Sequence, residues 1–222
     1  MTTEAHSIEE QARALAAGMA TQAPADLFAP FRAEQSNLDA AGIPAAVAKP
    51  GSALLDGALL DAHGAPTTLA SARAGQPAVV AFYRGAWCPY CNIALRTYQS
   101  ELVPALAVRG FELIAISPQK PDGSLTAQQT NELTYTVLSD PGNQIASSLG
   151  ILTEPTPDAV GAQAKLGLDL TEVNADGTRA LPMPTTVVVD ADGTIRWIDV
   201  HPNYTTRSEV PDILAAVQAV GA

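Results

Sequence analysis

The chain has 222 residues, with 23 acidic against 12 basic side chains and a formal net charge of −11. That length can bury a substantial core and fits one domain with extensions. The acidic balance argues against nucleic acid and against anionic membrane surfaces, both of which require basic patches. The N-terminus, Met1-Thr2-Thr3-Glu4-Ala5-His6, lacks the basic segment and continuous apolar stretch of a signal peptide, and no apolar run reaches membrane-spanning length; a soluble cytoplasmic protein is expected.

Residues 1–45 read as a helical extension. Ser7-Ile8-Glu9-Glu10 is a capping-box pattern, and Ile8, Ala12, Leu15 and Met19 follow at helical spacing. After Pro24, Leu27, Phe28, Phe31, Leu38 and Ala41 continue the theme, with Pro30 as a break or early-turn position. Such helices dock on their own domain or on a partner subunit.

Residues 46–222 are expected to form one domain. Pro50-Gly51, Asp56-Gly57, His63-Gly64 and Gly75 punctuate its start, with a short hairpin expected over 58–64 and a short helix over 68–74. The run Ala78-Val79-Val80-Ala81-Phe82-Tyr83 is a buried-type strand. In the helix after it, Ile93, Leu95, Tyr98, Leu102, Leu106 and Val108 form an apolar face that stops at Gly110. A second buried strand over 111–116 ends at Ser117-Pro118. A polar helical stretch then leads to a short strand over 136–138, and another helix starts near Asn143. Strands and helices alternating at this spacing indicate parallel βαβ units and an α/β fold. Residues 152–180, rich in Pro, Asp, Thr and Gly, read as an irregular insertion. The clearest hairpin pairs 185–190 with 194–200 around Ala191-Asp192-Gly193. A last helix follows Ser208, with Val210, Ile213, Leu214, Val217 and Val220 on one face.

The chemistry of the chain centres on its only two cysteines, in Trp87-Cys88-Pro89-Tyr90-Cys91, directly after the strand over 78–83. A CxxC at a strand-to-helix junction is a redox signature. Free backbone N–H groups and the positive end of the helix macrodipole favour thiolate there. The two intervening residues put a second sulfur within disulfide reach, and Pro89 fits the first helical turn, where a missing N–H costs little. A purely structural disulfide would close too short a loop to restrict the unfolded chain much. A zinc site needs four ligands, whereas only His6, His63 and His201 remain, scattered in loop-like sequence and read as surface residues. No metal and no cofactor is expected.

Several segments together resemble a known family. Phe82-Tyr83-Arg84-Gly85-Ala86-Trp87-Cys88-Pro89-Tyr90-Cys91, Ile116-Ser117-Pro118, Leu138-Ser139-Asp140-Pro141-Gly142 and Pro184-Thr185-Thr186-Val187-Val188-Val189-Asp190-Ala191-Asp192-Gly193 occur in the order found in peroxiredoxin-like proteins of the alkyl hydroperoxide reductase and thiol-specific antioxidant (AhpC/TSA) group. The resemblance covers roughly residues 45–205. It implies a thioredoxin-like fold, a central mixed sheet flanked by helices, and a cis Met183–Pro184 bond facing the cysteines; the alternative is an ordinary trans-proline at a strand start. It also places Cys91 at the peroxide-attacking position, Cys88 where the family has a threonine, and Arg84 where it has a proline. The arginine that the family carries just before the hairpin strand is replaced here by Pro184. Arg84 is a candidate substitute, able to favour the thiolate and to donate to a peroxide oxygen, or else a surface arginine at a strand end. Trp87 and Tyr90 are expected to wall the site.

Three functions remain open. In a peroxidase, Cys91 attacks a hydroperoxide, becomes sulfenic acid and is resolved by Cys88, and an external dithiol of thioredoxin type reduces the disulfide. In a disulfide reductase, Cys88 attacks a protein disulfide and Cys91 resolves it. In a redox-sensing module, the disulfide state changes a partner contact without turnover. The resemblance tips the balance narrowly toward the peroxidase. The added N-terminal helices and an exposed sheet edge are features through which a homodimer could form.

Overall fold

The structure, a computed structural model, describes residues 7–22 and 24–220; His6 lies outside them. Helix α1 (Ile8–Gln22) begins with the capping box the sequence encodes. Glu10 N donates to Ser7 Oγ at 3.1 Å, and Ser7 N donates to Glu10 Oε2 at 3.2 Å. The carboxylate of Glu209, far along the chain, accepts from the N–H groups of Ile8 at 3.0 Å and Glu9 at 2.8 Å. Two more orphan donors of the first turn are thereby satisfied, and Ile8 is buried in the core. Helix α2 (Ala25–Ala41) continues through Pro30, so of the two expected roles, a break or an early-turn position, the break does not occur. The proline stands close to the helix start, so the ladder loses only the bond to the carbonyl of Asp26.

Seven strands form one mixed sheet: β1 (Ala58–Asp61), β2 (Pro66–Thr68), β3 (Ala78–Phe82), β4 (Glu112–Ser117), β5 (Thr136–Ser139), β8 (Thr185–Val189) and β9 (Ile195–Val200). Their order across the sheet is β2-β1-β5-β4-β3-β8-β9. Parallel pairing of β3 with β4 and of β4 with β5 matches the expected βαβ units, while β8 and β9 add an antiparallel hairpin beside β3. Strand β3 is central and buried at every position. Val79 and Ala81 face one apolar layer, and Ala78, Val80 and Phe82 face the other, as the two-residue repeat of a strand requires.

The first layer is built from α4 (Pro89–Thr97), a π-helical turn (Tyr98–Leu102), α5 (Val103–Ala107) and α10 (Val210–Val220). Helix α3 (Leu69–Arg73), with Thr68 as its N-cap, and α7 (Gln144–Ser148) cover the opposite face, and α6 (Pro121–Thr130) leads into β5.

Residues 152–180 are more regular than expected. They contain β6 (Leu152–Thr153), α8 (Pro157–Lys165) and α9 (Leu170–Val173), and β6 pairs with β7 (Leu181–Pro182) in a second small sheet. The misleading residues are helix starters. Thr156 accepts from Ala159 N and Asp169 from Thr171 N, with Pro157 at the first helical position. Each helix is too short to show a hydrophobic period. Helix α8 packs against α2, and Thr156 N donates to Glu34 Oε1 at 2.8 Å.

Candidate active site

Strand β3 delivers the chain to Gly85, Trp87 and the two cysteines at the edge of the core. Gly85 has φ +154°, and a Cβ there would collide with Trp87 Nε1 and lie 2.7 Å from Gln119 Oε1, so the turn has room only for glycine. Gln119 Oε1 also accepts from Ala86 N, and Asn92 Nδ2 donates to Ala86 O at 2.8 Å. Cys88 is the N-cap of α4, Pro89 is its exposed first residue and Cys91 its third. The local layout is therefore the one expected from sequence, with Cys91 in the first turn.

Both cysteines are free thiols, and both are closed off: Cys88 is 1% exposed and Cys91 0%. Their environments nevertheless differ. Arg207 Nη2 donates to Cys91 Sγ at 3.0 Å. Burial by itself would raise the Cys91 pKa. The hydrogen bond from the Cys88 thiol, the Arg207 charge, the Arg84 backbone N–H and the Arg84 charge outweigh it, so the Cys91 thiol is held well below its ordinary value. Cys88 moves the opposite way. Burial, the bond to Cys91 and the negative charge on Cys91 push it well above its usual value. The two shifts polarise the pair toward a thiolate at Cys91 and a thiol at Cys88.

Arg207 is the residue that sequence reasoning missed. It is buried, and its Nη1 donates to Tyr204 O at 2.8 Å and Thr206 O at 2.5 Å, which leaves Nη2 aimed at the sulfur. The loop that carries it is fixed by His201, whose ring pairs with Asp199 Oδ2 at 2.9 Å and Thr206 Oγ1 at 2.8 Å. Ser208 Oγ donates to the same Asp199 oxygen, and Tyr98 OH to Ser208 O, each at 2.8 Å. His201 is therefore a partly buried loop brace and not the surface residue expected, whereas His63 is exposed as expected. The only signal in the sequence was a cation in a chain poor in cations, seven residues beyond the hairpin.

Arg84 departs from the surface reading, while its charge favours the Cys91 thiolate as the other reading expected. It is 6% exposed, so it is no surface residue, and its guanidinium is stacked 3.8 Å from the centroid of the Tyr204 ring and 5.2 Å from that of Trp87. Among the described residues its side chain donates no hydrogen bond to an acceptor, and it reaches Cys91 through backbone and charge. Trp87 and Tyr90 are half-buried beside the cysteines. The expected cis Met183–Pro184 bond is absent: every peptide bond among the described residues is trans. The trans form keeps residues 183–184 extended between two ladders, with Met183 N donating to Ile151 O and Pro184 O accepting from His201 N. Pro184 still lies close to Cys91.

Two cavities meet the site. One of about 10 Å³, room for one water-sized molecule, is bounded by Cys91, Pro184, Thr185 and Arg207. The other, of about 700 Å³, is bounded by Cys88 but not Cys91, and α1 and α2 form part of its wall.

Known proteins share this framework. The reduced Prx3 of Vibrio vulnificus in complex with H2O2 superposes with a TM-score of 0.62 at 17% identity, covering 77% of this chain and 99% of that one. The peroxidoxin BcpB of Mycobacterium tuberculosis superposes with a TM-score of 0.58 at 19% identity, covering 78% and 97%. At such identities the likeness establishes the fold, which is thioredoxin-like. A Mycobacterium tuberculosis protein that carries a provisional peroxiredoxin name is 31% identical over 96 residues, which is 43% of this chain and 60% of that protein's length. The model of the AhpC/TSA family matches residues 50–198, more than half of the 222 residues, and the chain belongs to that family.

Proposed function

We propose that the protein is a thiol peroxidase in which Cys91 strikes first. The observation that carries this is the 3.0 Å bond from Arg207 to the Cys91 sulfur, which supports the second cysteine of the CxxC as the thiolate. The Cys91 thiolate attacks one oxygen of a hydroperoxide ROOH; the S–O bond forms as the O–O bond breaks, and RO⁻ takes a proton and leaves as ROH. The Cys88 sulfur then attacks the Cys91 sulfenic acid, giving up its proton. The S–S bond forms and the sulfenic oxygen leaves as water. An external thiol reductant returns both cysteines to the reduced state. A reducing compartment such as the cytoplasm suits this cycle.

The opposite shifts argue the same way: a protein-disulfide reductase needs a first cysteine of low pKa, whereas burial and the neighbouring Cys91 push the Cys88 thiol up.

Stopped-flow mixing of reduced Cys88→Ser and Cys91→Ser proteins with hydrogen peroxide tests the assignment. Rapid sulfenic acid formation is expected only where Cys91 is retained. If neither variant outpaces a free thiol while Cys91→Ser traps a mixed disulfide with a protein substrate, the peroxidase reading is wrong.

A further inference from the structure

Each sulfur of the pair belongs to a different cavity. Cys91 bounds the one of about 10 Å³ and not the one of about 700 Å³, whereas Cys88 bounds the large one and not the small. The Cys88 thiol is hydrogen-bonded to the Cys91 sulfur, so the Cys88 side chain stands between that sulfur and the large cavity. The small cavity has room for a single water-sized molecule, and its walls are tied down. Thr185 Oγ1 donates to Met183 O at 2.8 Å, His201 N to Pro184 O at 2.9 Å and Tyr98 OH to Ser208 O at 2.8 Å. The Arg207 guanidinium is held by Tyr204 O and Thr206 O. Packed, hydrogen-bonded walls of this kind do not spread for a larger guest without cost. The large cavity, by contrast, offers Phe28, Phe31, Trp87 and Leu168 to an apolar guest. The sulfur it presents is Cys88, the thiol that burial and Cys91 push up.

We propose that Cys88 sets the size limit of the peroxide step: its side chain is the partition between the two cavities and confines Cys91 to hydroperoxides near hydrogen peroxide in size, excluding branched and aromatic organic ones. The proposal rests on attack by Cys91 as described above. In that attack the sulfur and the two peroxide oxygens lie nearly in line, so the substituent R must be housed at the far oxygen. With hydrogen peroxide R is a proton. The S–O bond forms, the O–O bond breaks, and the departing hydroxide takes a proton and leaves as water, the size of guest that the small cavity holds. With an aryl or tertiary alkyl hydroperoxide the departing alkoxide has no space there. An approach from the large cavity ends at the Cys88 thiol.

The test mixes the reduced full chain with hydrogen peroxide or with cumene hydroperoxide, quenches in denaturant with N-ethylmaleimide and reads the loss of the Cys91 thiol by mass spectrometry. The ratio of the hydrogen peroxide to the cumene hydroperoxide rate constant is divided by the same ratio for free cysteine, which removes the intrinsic reactivity of each peroxide. The thiolate fraction cancels within each protein, so a change in the Cys91 pKa does not enter. The normalised ratio is expected to be at least about tenfold in the unmodified protein. It should fall toward one in Cys88→Ala, where the missing sulfur lets a peroxide end through from the large cavity. In Cys88→Ser, which keeps an atom at the γ position, it should stay high. The absolute rate with hydrogen peroxide reads the peroxidase assignment and the ratio reads the partition, so the two fail separately. Should Cys88→Ala misfold, the unmodified protein and Cys88→Ser still decide. A ratio near one in the unmodified protein, an undiminished ratio in Cys88→Ala, or a loss of the preference in Cys88→Ser overturns the proposal.

Discussion

Replacing Arg207 with methionine keeps most of the side-chain volume but deletes the donor at 3.0 Å from the Cys91 sulfur. A hydrogen bond to a charged group contributes roughly 1.5–3 kcal/mol. One pKa unit corresponds to about 1.36 kcal/mol, so the loss should raise the Cys91 pKa by about 1–2 units. On the acid limb of the pH profile, below the folded Cys91 pKa, the rate of peroxide attack should fall about 10–100-fold through the thiolate fraction, with a further loss at any pH if the same guanidinium also stabilises charge on the departing oxygen. Arg207→Lys keeps the charge but cannot serve Tyr204 O, Thr206 O and Cys91 with one rigid fork, and should fall between the two. The assay is the pH profile of the second-order rate constant with hydrogen peroxide, alongside thiolate absorbance in the ultraviolet and a thermal melt as a control for folding. An Arg207→Met protein that is folded and retains the unmodified rate and titration midpoint would refute the assignment of Arg207 as the group that makes Cys91 the thiolate.

Three other perturbations have definite expected outcomes. Gly85→Ala forces a Cβ into Trp87 and Gln119 at a positive φ and should cost about 1–3 kcal/mol in denaturant unfolding, together with a changed tryptophan emission. Glu209→Ala removes the carboxylate that holds the first turn of α1; the Ile8 and Glu9 amides should exchange with solvent faster while those of β3 keep their protection. The cysteine pair should also make stability depend on pH. Cys91 titrates below its unfolded value of about 8.5, so its stabilisation is complete above that pH and is lost as pH falls through the folded pKa. Cys88 titrates above its unfolded value, so its contribution is present below about pH 8.5 and is lost as pH rises. The melting temperature of the dithiol form, taken relative to that of the disulfide form, should therefore be highest near about pH 8.5, and a flat relative value across the titration would contradict the opposed pKa shifts.

Local sequence carried the parts of this protein that depend on neighbours in the chain. The capping box at Ser7, the buried run of β3, the 185–200 hairpin and the thiol in the first turn of α4 each follow from residues within one or two turns of each other, and each formed as read. Short elements were harder to read. Pro157 and Thr156 look like loop residues until α8 is seen to start on them, and Pro30 looks like a break until α2 is seen to pass through it. The motif alone left open which sulfur attacks first, because both cysteines share one helix terminus. Tertiary structure separates them. A loop braced by His201 and Asp199 brings Arg207 to Cys91 from 116 residues away, and the N-terminal helices wall a cavity on the side of Cys88. Hydrophobic periods and turn residues act over a few positions and are legible in a string of letters. The charge that polarises the cysteine pair acts through space, and its position exists only once the chain has folded.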